Sequence, residues 1–412
     1  MDLIKKEKLI GEIRKLVSDS IDFNKDINDE EIENIITEIV FDKAKEYYLT
    51  VSEKQEIIKA IFNSMRRLDI LQPLIEDKDI TEIMINGPDN IFIEKNGKVS
   101  KLELSFQNQE RLENVIQSII SKVNRSINES SPTADARLPD GSRVNAVLPP
   151  IALNGPILTI RKFPEKPMTI DQLISYKSLN EEAAEVLRRM VEAKYNIFIC
   201  GGTGSGKTTF LNALSNFIPS DERIITIEDS AELQIVKVPN IVRLETRDAN
   251  TEGKGEITIR DLIKASLRMR PDRIIVGEVR GHEALDMLQA MNTGHDGSLS
   301  TGHANSCEDM MSRLETMVLS AAAMPLDAIR QQIASAIDII IHLGRLRDKT
   351  RRVLEIHEVL GYENGKIQLN PLFNFVEEGE TDDKKIIGVL KRTKNKMKNT
   401  QKFKMAGICE KV

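Results

Sequence analysis

Residues 196–214 read NIFICGGTGSGKTTFLNAL, and this stretch sets the architecture of the chain. It contains the pattern GxxxxGK[ST] between an apolar, strand-like run and a helix-like run. In this context the glycines let backbone N–H groups curl around phosphates, the lysine reaches the outer phosphates and the threonine hydroxyl ligates magnesium. The pattern therefore predicts a phosphate-binding loop for ATP, formed by Gly201, Gly202, Thr203, Gly204, Ser205, Gly206, Lys207, Thr208 and Thr209.

Helical patterns and short apolar runs alternate from about residue 181 to residue 375. The runs NIFIC, RIITIED, RIIVGE and GSLST have the composition of buried strands, and NEEAAEVLRRMVEAK has that of a helix capped by Asn180. Such alternation is typical of an α/β fold in which helices cover both faces of a largely parallel sheet. We therefore predict one α/β nucleotide-binding domain over residues 181–375.

Acidic residues follow two of these predicted strands. Glu228 and Asp229 end the run ITIED, and Glu278 follows RIIVG, where Gly277 occupies the place of the aspartate that usually holds magnesium. Because the carboxyl ends of parallel strands meet at one edge of a sheet, these acids are candidates for metal binding and water activation. A strand-end acid can instead cap the next helix. His303, just beyond GSLST, is a candidate for sensing or bonding a terminal phosphate.

The rest of the chain divides by composition into four segments. Residues 1–75 repeat apolar positions at helical spacing and predict a helical domain, whereas residues 76–165 alternate apolar and polar positions between turn signals and predict a small α/β domain. Residues 166–180 begin beside two prolines and predict a linker. Residues 376–412 are first acidic and then strongly basic, which predicts a solvated, charged tail.

Composition narrows the class of protein. The net charge is −6 and only 4% of residues are aromatic, which argues against nucleic acid as a partner, because strand tracking needs basic grooves and stacking platforms. The three cysteines, Cys200, Cys307 and Cys409, are far apart in sequence and support neither a disulfide framework nor a four-cysteine zinc module. Neither a signal peptide nor an apolar run of about 18 residues is visible. We therefore expect a cytoplasmic protein that meets the membrane only through partners.

Four blocks occur in order along the second half of the chain: GGTGSGKTT, TIEDSAEL, RPDRIIVGEVRG and MNTGHDGSLSTGHANS. Together they resemble the secretion-ATPase superfamily of type II and type IV secretion systems and type IV pili. The amino-acid sequence from LETRDANTEG to TGHANS looks most like that of the CpaF-like motor ATPases of tight-adherence (Flp/Tad) pili. The resemblance covers about residues 70–370. It implies a RecA-like P-loop core that uses ATP and Mg²⁺, a homo-hexamer, and platform proteins of the inner membrane as partners.

The resemblance also implies roles for individual residues. Glu278 would activate the attacking water or hold it against magnesium, and Glu228 would act through the water shell of the metal, although the two roles are interchangeable on sequence grounds. The metal-binding set would be Thr208, Glu228 and Glu278, with Lys207 and His303 at the phosphates. Charge compensation would come from arginines of the smaller domain, some across a subunit boundary; the matching positions are Arg137, Arg143 and Arg161. Arg243 and Arg247 of the core are further candidates.

By resemblance, then, the chain is a hexameric ATPase that drives assembly or retraction of a Flp/Tad pilus or a related secretion apparatus. A type IV secretion channel ATPase is the main alternative. A nucleic-acid translocating motor and a nucleotide-binding scaffold without hydrolysis are weaker ones. A type II secretion motor is disfavoured, because the paired-cysteine zinc module typical of those motors is absent from the sequence. The final segment, LKRTKNKMK, departs from the Pro-Thr-Gly element that tight-adherence motors tend to carry.

Overall fold

Two compact units, Met1–Glu165 and Lys166–Val412, make up the chain. The computed structural model describes residues 3–20, 27–95, 97–123, 125–163, 167–247, 249 and 253–408. Among these residues, no helix combines the length and the apolar character needed to cross a lipid bilayer.

Three amphipathic helices begin the first unit: α1 (Leu3–Ser20), α2 (Asp29–Tyr47) and α3 (Val51–Arg66). Both α2 and α3 start at a capping box, with Asn28 and Thr50 as the N-cap residues. Each box satisfies backbone N–H groups that would otherwise lack partners at the helix start. The apolar faces of the three helices pack together into one small core.

An antiparallel sheet of six strands forms the rest of the first unit, with the strand order β3-β2-β1-β6-β5-β4. The side chains of α5 join those of the sheet in a common apolar core. A 3₁₀ turn at Asp69–Leu71 and a short helix lead into the sheet. The elements are α4 (Gln72–Glu76), β1 (Ile80–Asn86), β2 (Ile91–Lys95), β3 (Lys98–Lys101), α5 (Gln109–Ser121), β4 (Thr133–Arg137), β5 (Arg143–Val147) and β6 (Ile157–Arg161).

The second unit is built on a sheet of nine strands with the order β15-β14-β13-β12-β7-β11-β10-β8-β9. Neighbours from β12 to β9 are parallel, whereas β13, β14 and β15 extend the sheet in antiparallel fashion. The predicted parallel sheet therefore accounts for only part of the structure. The strands are β7 (Ile197–Gly201), β8 (Ile224–Glu228), β9 (Ile241–Glu245), β10 (Arg273–Val276), β11 (Leu299–Gly302), β12 (Ile339–Arg345), β13 (Arg351–Glu363), β14 (Lys366–Glu380) and β15 (Ile386–Arg392).

Helices cover both faces of this sheet. Strands β7, β8, β10 and β11 are buried at every position, which explains why their sequences are nearly continuous apolar runs. Asn180 caps the helix that precedes β7, as the sequence predicts. The helices are α6 (Ile170–Ser175), α7 (Glu181–Glu192), α8 (Lys207–Ser215), α9 (Ile259–Ser266), α10 (Glu283–Asn292), α11 (Cys307–Ala321), α12 (Leu326–Ala336) and α13 (Gln401–Met405).

The prediction of a solvated tail over residues 376–412 is wrong for the described part of that segment. Strand β14 continues to Glu380, β15 pairs with it, and α13 packs on the core. The ring of Phe403 is fully buried with its centroid 4.8 Å from that of Tyr195. The Lys402 ammonium lies 2.7 Å from both Asp296 and Asp338. Leu390, Met397 and Phe403 of this segment are buried, whereas Val389 and Met405 are exposed.

Candidate active site

The phosphate-binding loop joins the end of β7 to the start of α8. Gly201 is the last residue of β7 and Lys207 is the first of α8, which confirms the predicted strand–loop–helix context. Gly206 precedes the helix with a φ of 94°, a backbone conformation that is unstrained only for glycine. Among the other predicted loop residues, Ser205 is buried, Thr208 is partly exposed, and the exposed ones are Gly202, Thr203, Gly204 and Thr209. A glycine-rich loop open to solvent before a helix N-terminus is a phosphate-binding arrangement.

Three predicted residues form a continuous hydrogen-bonded chain beside this loop. Nζ of Lys207 lies 3.3 Å from Nδ1 of His303, and Nε2 of His303 lies 2.8 Å from Oε1 of Glu278. Strand β11 pairs with both β7 and β10, so the residues that follow these strands meet at one edge of the sheet. The strand order β7-β11-β10 therefore places the residues that follow these strands at one edge of the sheet, as predicted from the strand ends.

Burial and neighbouring charges set the protonation states of Lys207, His303 and Glu278 in this hydrogen-bonded chain. Burial lowers the pKa of Lys207, and burial followed by the Lys207 charge lowers the pKa of His303. Burial alone would raise the pKa of Glu278, but Arg280, His303 and Lys207 outweigh it and hold the pKa below its ordinary value. The tautomer that fits these partners has Nδ1 of His303 accepting from the ammonium and Nε2–H donating to the carboxylate.

Arg280 binds Glu278 from the other side. Its Nε and Nη2 donate to the two carboxylate oxygens at 2.9 and 3.0 Å. The same guanidinium lies 3.5 Å from Asp229. These partners raise the pKa of Arg280, which therefore stays charged. Sequence reasoning did not select Arg280, although its position two residues after Glu278 is a usable signal.

Glu228 occupies the space that an aspartate at position 277 would need. Its carboxylate accepts backbone N–H bonds from Glu232 at 2.9 Å and from Leu233 at 3.0 Å, and burial raises its pKa to about 7. A Cβ atom on Gly277 would lie 2.9 Å from Cγ of Glu228, closer than real Cβ contacts. An aspartate at position 277 would therefore clash with Glu228 unless one of the two residues shifted.

Comparison with known proteins decides the family. The family model described as "Type II/IV secretion system protein" matches residues 64–398. The chain belongs to this family. With a complete phosphate-binding loop and acids at the adjacent sheet edge, this type II/IV secretion system protein is an ATPase.

Relatives of this secretion family member include transfer and secretion proteins. A putative conjugal transfer protein of Mycobacterium tuberculosis is 34% identical over 320 residues, which are 76% of this chain and 90% of that protein. The type IV secretion system protein VirB11 of Brucella suis is 33% identical over 303 residues, 67% of this chain and 84% of that one. The crystal structure of the pilus retraction motor PilT with bound ADP covers 72% of this chain and 84% of its own, at 18% identity and a TM-score of 0.52, and shows a shared fold.

Three of the predicted arginines stand side by side in the first unit of this secretion family member. Arg143 of β5 is the direct cross-strand partner of Arg137 on β4 and of Arg161 on β6. Directly opposed residues project from the same face of a sheet, so these three form a continuous arginine row. Like charges directly opposite each other on neighbouring strands are destabilising.

The two predicted arginines of the core lie apart from the Lys207–His303–Glu278 chain. Arg243 is an exposed residue of the edge strand β9, and Nε of Arg247 donates to the Gly255 carbonyl at 2.7 Å. Within the described ranges, no hydrogen bond or ion pair joins either guanidinium to Lys207, His303 or Glu278.

Two further arginines approach the phosphate loop, and sequence reasoning missed both. Nε of Arg351 donates to the Gly204 carbonyl at 2.8 Å across 147 residues of sequence. Arg313 of α11 lines a cavity of about 540 Å³ together with Gly202, Thr203 and His303. The antiparallel strand β13 and the helix after the histidine block bring these cations to the loop, and no local pattern marks either of them.

Proposed function

We propose that this protein is a hexameric motor that couples ATP hydrolysis to assembly of a Flp/Tad pilus. The observation that carries the catalytic part is the Lys207–His303–Glu278 chain beside the phosphate loop. In this chain the imidazole lies within hydrogen-bond distance of both the cation and the carboxylate. Transfer of a phosphoryl group to water needs positive charge at the outer phosphates and a carboxylate that positions the water.

The residues at the loop fit Mg²⁺. Thr208, Glu228 and Glu278 form a donor set made only of oxygen, which is what this hard cation prefers. The hydroxyl of Thr208 would hold the ion from the first turn of α8, with a carboxylate acting through the ion's water shell. Bound Mg²⁺ supplies neutralisation of charge on the phosphates.

The surroundings of Glu228 and Glu278 favour different roles for these two acids. Glu228 is almost fully buried and is fixed by two backbone N–H groups, whereas the described partners of Glu278 are the side chains of His303 and Arg280. Side-chain partners can rearrange when a triphosphate attracts Lys207 and Arg280. We therefore assign water activation to Glu278 and give Glu228 the indirect contact with the metal.

Glu278→Gln tests this assignment directly. We expect phosphate release from Mg-ATP to fall at least about 100-fold, because an amide cannot take a proton from water, while ATP binding changes little. Glu363→Gln, an exposed acid in the β13–β14 hairpin, is the matched control and should hydrolyse ATP normally. Wild-type turnover by Glu278→Gln would contradict the assignment.

The arginine row is proposed to complete the site of a neighbouring subunit in the hexamer. A row of guanidinium groups fits the phosphates of ATP, because these groups spread phosphoryl charge better than ammonium groups do. Arg143→Ala and Glu278→Gln should each be inactive alone. Mixed rings should regain activity, because an Arg143→Ala subunit keeps Glu278 and borrows an arginine from its neighbour. Mixing Arg143→Ala with the double variant should restore nothing. Failure of the first mixture to recover activity would refute action between subunits.

The apparatus that the motor serves has two candidates. The sequence resemblance favours a Flp/Tad pilus, whereas the conjugal transfer and VirB11 relatives favour a type IV secretion channel. In both cases the motor would work at the cytoplasmic face of the inner membrane through platform proteins, without binding nucleic acid. Deletion of the gene, followed by imaging of surface fibres and an assay of plasmid transfer, separates the two candidates. Loss of fibres supports the pilus, whereas loss of plasmid transfer with intact fibres supports the channel. ATPase stimulation by DNA would indicate a nucleic-acid motor instead.

A further inference from the structure

Three neighbouring strands place polar side chains side by side under the helices α10, α11 and α12. His342 of β12 is in direct register with Cys200 of β7 and with Glu355 of β13. His357 lies two residues beyond Glu355, so it projects from the same face. This face is otherwise an apolar core. The burial of thiol, imidazole and carboxylate groups in an apolar core needs a physical explanation.

The N-terminus of α11 brings a second thiol to this row. Cys307 is the first residue of the helix and is fully buried. One ligand atom each from Cys307, Glu355 and His357 lie within 4.8 Å of one another. The backbone N–H of Cys307 also approaches Oε2 of Glu355 at 3.4 Å. The neighbouring Cys200 and burial raise the pKa of Cys307, so its side chain is a thiol unless a metal ion displaces the proton.

Contacts within the described part of the chain do not explain the burial of two histidine nitrogens in this cluster. Nδ1 of His342 and Nδ1 of His357 are buried without a hydrogen-bond partner in the described part of the chain. Both residues are more than nine-tenths buried, at 7% and 4% exposure. Nδ1 of His342 lies 3.7 Å from Oε2 of Glu355, beyond hydrogen-bond distance. Buried polar atoms normally find a partner, because an unsatisfied one costs about 1–3 kcal/mol.

We propose that Cys307, Glu355 and His357 bind one Zn²⁺ ion, with His342 beside Glu355 on the neighbouring strand. Zinc takes sulfur, nitrogen and oxygen ligands together in tetrahedral sites, whereas magnesium and calcium prefer oxygen alone. Three protein ligands leave one tetrahedral position, which a water molecule would fill. The side chain of Glu355 is 30% exposed, which gives the ion a path from solvent.

The position of this zinc site connects it to the nucleotide loop without making it part of the chemistry. His342 is in register with Cys200, the residue before Gly201, and Glu355 lies on the strand that carries Arg351. Cys307 begins the helix that carries Arg313. The ion would therefore fasten α11 to β13, the elements that carry Arg313 and Arg351.

The experiment uses the untagged full chain, purified in the presence of zinc and then dialysed. We expect one equivalent of zinc per chain by mass spectrometry of the metals, and a lower melting temperature after a strong chelator removes it. Replacement by Co²⁺ should produce the visible bands of a tetrahedral site and a near-ultraviolet band from thiolate to metal. Wild-type protein without bound zinc, without the cobalt bands and without a chelator effect would overturn the proposal.

Two variants identify the ligands. Cys307→Ser should abolish the thiolate–cobalt band, and His357→Gln should weaken zinc affinity at least about tenfold. Cys409→Ser, which lies outside the described residues, is the control and should keep both signals. Zinc that binds equally well to Cys307→Ser would be adventitious and would refute the site. If either variant does not fold, the cobalt spectrum of the wild-type chain decides the question alone.

Discussion

Glu228→Gln should stabilise the second unit at alkaline pH and leave its stability nearly unchanged in acid. The Glu228 side chain is buried, and burial raises its pKa from 4.5 to about 7. The folded protein therefore binds this proton more tightly than the unfolded chain does. By linkage, the contribution of Glu228 to wild-type stability falls as pH rises from about 4.5 to about 7 and stays low above that range.

The size of the effect follows from these two pKa values. Their difference corresponds to about 3 kcal/mol of lost stability once the carboxylate is fully ionised, and to less than about 1 kcal/mol at pH 5. Glutamine keeps an oxygen that accepts the N–H groups of Glu232 and Leu233 but carries no charge. The gain from Glu228→Gln should thus be about 2–3 kcal/mol larger at pH 8 than at pH 5.

Amide hydrogen exchange across β8 and β10 measures this gain locally, because it reports the free energy of opening of the strands beside the acid. Glu363→Gln provides the control, and its effect on the two strands should be the same at both pH values. A gain from Glu228→Gln that differs by less than about 0.5 kcal/mol between pH 5 and pH 8 would refute the assignment of a raised pKa.

Three further predictions concern the site and the C-terminal segment. Gly277→Ala places a Cβ 2.9 Å from Cγ of Glu228, so we expect overpacking to cost about 1–3 kcal/mol, measured by thermal melting. Lys402→Met removes the cation beside Asp338, whose pKa is raised by burial, and should release α13 to proteolysis more than about fivefold faster. His303→Ala breaks the link between the lysine and the catalytic acid, and should lower phosphate release at least about tenfold with ATP binding retained.

The first two of these predictions have their own control variants. Gly281→Ala meets no atom closer than 3.5 Å and should melt like the wild type. Lys402→Arg keeps the charge and should protect α13. Unchanged melting of Gly277→Ala, wild-type proteolysis of Lys402→Met or full turnover by His303→Ala would each contradict the corresponding contact.

Local pattern was sufficient for the nucleotide loop and the strands around it. The glycines, Lys207 and Thr208 are contiguous, and a buried parallel strand must be an apolar run, so both features are visible in a short window. Strand ends also pointed to Glu278 and His303, because parallel strands carry their carboxyl ends to one edge of the sheet. The prediction of a solvated C-terminal segment was wrong, because the residues that pack on the core are spaced among many charged ones.

Tertiary structure alone decided which distant residues meet. Antiparallel strands added beyond β12 bring Arg351 to the phosphate loop, and the register of β7, β12 and β13 aligns Cys200, His342 and Glu355. The contact between Glu228 and position 277 likewise depends on the pairing of β8 with β10. Sequence patterns report the face on which a residue lies because that follows from its immediate neighbours. Register between strands is set by the packing of the whole core, and no short window of sequence contains it.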